Sequence, residues 1–91
     1  MKYEHLISQD NTHILFLRAI SKIEREEKNK KKAIIAVLNN DNEVELGTYS
    51  TLQVALDIEK HLSMWIDAIA MSKEASTSFK FPSEEIAKLK E

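Results

Sequence analysis

Apolar residues return every three to four positions between Val54 and Ile69, whereas upstream of Gly47 they alternate or come in short runs. The first pattern predicts an amphipathic helix and the second predicts strands. At about 100° per residue, Val54, Ala55, Ile58, Leu62, Trp65, Ile66 and Ile69 share one helix face. Asp57, Lys60 and Asp67 take the other. Ser50 is the expected N-cap, because its hydroxyl can accept a hydrogen bond from a free N–H of the first turn. Gln53 completes a capping box, and Tyr49 with Val54 forms a hydrophobic staple. The apolar stripe is the expected lid of a sheet, with Trp65 its costliest member to truncate.

The strands precede this helix. Lys2 to Ser8 and His13 to Leu17 read as a first pair around the polar turn Gln9-Asp10-Asn11. Arg18 to Glu27 fits a third strand; the spacing of Ile20 and Ile23 also suits a helix, but two anchors are few. Lys28 to Lys32 reads as a charged turn. Ala33 to Leu38 (AIIAVL) is a central buried strand by its β-branched run. Asn39 to Asn42 is a turn, and Glu43 to Leu46 alternates, with Val44 and Leu46 on one face and the paired carboxylates Glu43 and Glu45 on the other. Gly47 is expected to let the backbone leave the sheet for the helix. After the helix, Ser72 to Ser78 reads as a polar, mobile segment. Phe79 and Phe81 then suit a short extended piece, Pro82 stops it, and Ser83 caps a last short helix anchored by Ile86 and Leu89. The expected fold is α+β: an antiparallel meander of about four to five strands, covered by one long amphipathic helix, with a short C-terminal strand and helix.

Some apolar residues fall off the main stripe. Leu56, Met64 and Met71 point away from it, and Ala68 sits at its edge; the methionines are seven apart and so lie on one line. Contiguous exposed apolar groups tend to mark interfaces, so Leu56, Met64, Ala68 and Met71 are the candidate surface for a second copy or another protein. The second candidate is the basic group Lys28, Lys30, Lys31 and Lys32, which could touch phosphates. It has no interleaved aromatic to stack bases, and Glu24, Glu26 and Glu27 flank it.

Length and composition narrow the choices. The 91 residues suit one domain, and a chain this short buries only about 60–65% of its unfolded surface. There is no cysteine, hence no disulfide or thiolate, which fits a reducing compartment. The net charge of −2, with interspersed signs, argues against a dedicated nucleic-acid or membrane-surface protein. No apolar run approaches the roughly 18 residues of a membrane span, and MKYEHLISQD lacks the apolar core of a signal peptide. His5 and His13 could share a face of the first strand pair, but no spaced carboxylate completes a metal site. The serines include no nucleophile elbow, and a single glycine leaves no phosphate-cradling loop.

The run from Ile20 to Pro82 resembles a group of small Firmicutes and phage proteins of unknown activity. The resemblance rests on Gly47-Thr48-Tyr49-Ser50-Thr51, on Ala55, Ile58 and Leu62, and on Phe79-Lys80-Phe81-Pro82. It departs at Leu52-Gln53, where that group carries an acidic first helical turn. It implies a phage or prophage origin and transfers no functional residue. The expectation is a cytoplasmic, non-enzymatic accessory protein: a protein–protein interaction module, homodimeric through its helix, with no cofactor, metal, membrane or small-molecule substrate. The alternative is a nucleic-acid-binding accessory protein using the lysine turn.

Overall fold

The structure is a computed structural model, and it describes residues 3–71 and 76–89. It is α+β. Two three-stranded sheets, one long helix and one short helix enclose a shared core. β1 (Tyr3–Ile7) and β2 (Ile14–Phe16) form an antiparallel pair, and a 3-10 turn (Leu17–Ala19) leads into β3 (Ile20–Lys28). β3, β4 (Lys31–Leu38) and β5 (Glu43–Tyr49) make an antiparallel meander in the order β3-β4-β5. Helix α1 (Leu52–Met71) follows, then β6 (Ser76–Lys80) and helix α2 (Glu84–Leu89).

The meander therefore has three strands rather than four to five. The first strand pair is a separate sheet, order β2-β1-β6, in which the C-terminal strand runs parallel to β1. Ser76 to Ser78, expected to be mobile, belong to β6; residues 72 to 75 lie outside the described residues. The expectation missed this because a parallel partner comes from far along the chain and leaves no local turn signal.

β4 is buried on both faces. Ile34 and Ala36 point at α1, with Ile23 and Val44 as cross-strand neighbours on the same side. Ala33, Ile35 and Val37 point the other way, where the register sets them between Lys22, Glu24 and Glu26 of β3 and Glu43, Glu45 and Thr48 of β5. Long charged side chains can cover apolar surface with their stems. The expected pair Glu43 and Glu45 thus belongs to this outer sheet face. Glu45 accepts from the Thr48 hydroxyl at 3.1 Å and lies 3.8 Å from the Lys28 ammonium.

β5 runs on to Tyr49, through Gly47, whose φ is not positive. The glycine answers a packing need: a Cβ there would lie 2.9 Å from the Tyr49 hydroxyl oxygen and 3.0 Å from its ring. Tyr49 is fully buried and donates to the Pro82 carbonyl at 2.8 Å. A β-bulge beside Gly47 places Leu46 in the core.

The helix cap also differs by one residue. Thr51, not Ser50, is the N-cap: its hydroxyl accepts from Val54 N–H at 3.2 Å. The Ser50 N–H instead donates to the Glu84 carboxylate, joining the start of α1 to α2. Val54, Ala55, Ile58 and Leu62 are buried as expected, while Trp65, Ile66 and Ile69 are half-buried. Trp65 packs on Phe79, with ring centroids 5.8 Å apart, and Phe79 meets Phe81 edge-on at 5.2 Å. In α2, Ser83 caps as expected, accepting from Ile86 N–H. Ala87 is the buried residue and the expected anchor Ile86 is exposed; the side chain of Leu89 falls outside what is described.

Candidate interaction surface

The stripe of α1 that faces the core leaves the opposite side of a 20-residue helix without cover from the described residues. Three of the four expected residues there are large and open to solvent: Leu56 is 40% exposed, Met64 58% and Met71 89%. Ala68 is exposed too. Sequence reasoning missed Leu52, which is 45% exposed on the same side, one turn before Leu56. Its signal was readable, since Leu52 and Leu56 are four apart. Lys60, Ser63 and Asp67, also exposed, lie among these apolar groups at helical spacing.

The helix is held firmly from behind. Its inner residues pack on β4, β5 and Phe81. Arg25 of β3 also reaches Glu59, with 2.7 Å between the guanidinium and the carboxylate. Such a partly exposed pair contributes little energy, about 0–1 kcal/mol, but it helps orient the helix on the sheet.

The lysine group is not one turn. Asn29 and Lys30 form a two-residue hairpin loop, both with positive φ, while Lys28 and Lys31 face each other at the strand ends. Lys32 lies within β4, where its ammonium donates to Glu27 at 2.8 Å and holds that carboxylate below its ordinary pKa. Lys28 faces Glu45, as above. Two of the four candidate phosphate contacts are therefore set against carboxylates.

The histidines do other things. The His5 ring packs on Phe16, and His13 Nδ1 lies 2.9 Å from the Thr12 hydroxyl. Among the described residues no group of three or more histidines and carboxylates is placed to hold a metal ion. The 8–13 turn concentrates polar groups on Asp10. Its carboxylate accepts from the Thr12 hydroxyl at 2.6 Å, the Ser8 hydroxyl at 2.7 Å and the Thr12 N–H at 3.0 Å. Those bonds pull Asp10 far below the ordinary carboxylate range. These bonds tie the 8–13 turn together, and the Ser8 hydroxyl oxygen in turn accepts from the His13 N–H at 3.0 Å.

A cleft of about 150 Å³ lies between α1 and the C-terminal segment, lined by Ile58, His61, Phe79, Lys80 and Pro82 among others. Its polar groups are already engaged. Lys80 donates to the Ser8 and Gln9 carbonyls at 2.6 and 2.7 Å, and His61 Nδ1 donates to the Asp57 carbonyl. Among the described residues no helix is long and apolar enough to cross a membrane.

A scan of protein-family models, a search of curated proteins and a search of solved structures each found no match for this chain.

Proposed function

We propose that this protein is a cytoplasmic, non-enzymatic protein–protein interaction module that works through the outward face of α1. The observation that supports this is the exposure of Leu52, Leu56, Met64 and Met71 on one side of a single rigid helix. Water pays no such cluster back, and each large apolar group buried by a partner would contribute on the order of 1–2 kcal/mol. Methionine suits the task, because its unbranched, polarisable side chain adapts to an irregular partner surface. Phage or prophage origin, implied by the resemblance, fits an accessory role of this kind. Nucleic-acid binding through the lysines has less to recommend it, because Lys28 and Lys32 lie against Glu45 and Glu27.

The test is the mass in solution, by light scattering behind size exclusion, from low to high micromolar. The double variant M64D/M71D should keep its helical circular dichroism and lose about 1 kcal/mol of stability, through the weaker helix propensity of aspartate. It should also lose association. Association that persists with the same concentration dependence after the change would overturn the proposal.

A further inference from the structure

The polar residues between the exposed apolar groups say what kind of partner fits this face. Lys60, Met64, Asp67 and Met71 follow one another at intervals of four, three and four, the spacing of a helix-pair seam. With Leu56 and Ser63 they fill a stripe about 100° wide, and all six are exposed. The stripe is complementary to itself when reversed. We infer that the partner is a second copy of this chain, docked antiparallel about a two-fold axis that passes between Ser63 and Met64. The inference rests on the reading of this face as an interaction surface.

Residues equally far from that axis meet. Leu56 lies against Met71 of the second copy, Lys60 against its Asp67, and Ser63 against its Met64. Two-fold symmetry makes each contact occur twice. Apolar groups meet apolar groups at the ends, opposite charges meet between, and the small Ser63 leaves room for methionine at the centre. The parallel arrangement is disfavoured by the same residues, since it sets Lys60 on Lys60 and Asp67 on Asp67. Such like-charge contacts select orientation. The contact is small. From position 56 to 71 the helix is about 22 Å long, and a face about 10 Å wide falls well short of the roughly 800 Å² per partner of a standard interface. Association is therefore weak, with Kd on the order of 10–100 μM, and falls with salt.

The chain has no cysteine, so introduced thiols report proximity alone. Under mild oxidation at about 100 μM, L56C/M71C should form a covalent dimer. L56C alone and M71C alone should not, because each thiol would lie about 22 Å from its own copy, far beyond disulfide reach. K60D and D67K should each weaken association about tenfold at low salt, and K60D/D67K should restore it. Single-cysteine variants that cross-link as readily as the double variant would overturn the antiparallel register. So would a charge reversal that is not rescued. A wild-type monomer at millimolar concentration would overturn the second copy as partner and leave the surface to a different protein. A dimer that survives M64D/M71D would overturn both readings.

Discussion

Gln9 does for β5 what a further strand would otherwise do. Its N–H donates to the Leu46 carbonyl at 2.7 Å, its side-chain oxygen accepts from Thr48 N–H at 3.1 Å, and its amide N–H₂ reaches the Thr48 and Pro82 carbonyls. Open strand edges invite unwanted pairing, and here one residue occupies that edge. Tyr49 and Gly47 form a similar local unit. Gly47→Ala should destabilise by about 1–3 kcal/mol, since the new methyl must displace a buried ring that is bonded to Pro82; urea unfolding reads this directly. Burial, with the Glu84 carboxylate adding to it, raises the Tyr49 phenol above its ordinary value near 10. A raised pKa in the folded state means stability that is present below pH 10 and lost as the pH rises past it, because only the unfolded chain ionises readily there. Tyr49→Phe should flatten that alkaline limb in stability measured from pH 8 to 11. Lys30 sits at φ 65°, where a side chain is strained. Lys30→Gly should therefore stabilise by about 1 kcal/mol, seen as a higher urea midpoint with an unchanged slope.

At the scale of elements, the aromatic row links α1 to β6. Trp65, Phe79 and Phe81 run from the helix into the core; the first two are half-buried and the last is buried. Trp65 is the largest side chain on the stripe, yet it is only half-buried, while Phe81 is fully buried among Leu6, Tyr49 and Ile58. Phe81→Ala should cost about 3–5 kcal/mol, and Trp65→Ala about 1–2 kcal/mol, as compared by denaturant unfolding. The order is the reverse of what residue size suggests. It follows from the placement of β6, which leads Phe81 into the core, where its N–H donates to the Ile7 carbonyl. β6 itself is held by its parallel register with β1 and by Lys80, whose ammonium bridges two carbonyls of the 8–13 turn.

At the scale of the whole molecule, the core is shared by elements from both ends of the chain. Leu6, Ile34, Leu46, Val54, Phe81 and Ala87 belong to one cluster. A single helix therefore buries its inner face against two sheets, and its outer face is exposed. The outer face of β4 needs no second layer, because flanking glutamates and Lys22 line it. The outward face of α1 carries exposed Leu52, Leu56, Met64 and Met71 among polar residues, and the proposal that it associates is tested by M64D/M71D at the scale of the assembly's mass.

The helix, its apolar stripe, the buried AIIAVL strand and the hairpin at Asn39 to Asn42 were legible from sequence, because periodicity and turn chemistry are local. So was the exposed row of Leu56, Met64 and Met71, which is the complement of that stripe. The turn within Lys28 to Lys32 was legible too, but its two-residue length at Asn29-Lys30 was not, because a lysine occupies the position where glycine would announce it. The cap is Thr51 rather than Ser50 because the helix begins at Leu52, and the Ser50 N–H, expected to bond Gln53, goes to Glu84, distant in sequence. Gly47 looked like a hinge, but it is space for a ring. The split into two sheets, the parallel pairing of β6 with β1 and the modest burial of Trp65 were decided only in three dimensions. Each depends on which distant segments meet, and pairing across some 70 residues leaves no trace in local pattern.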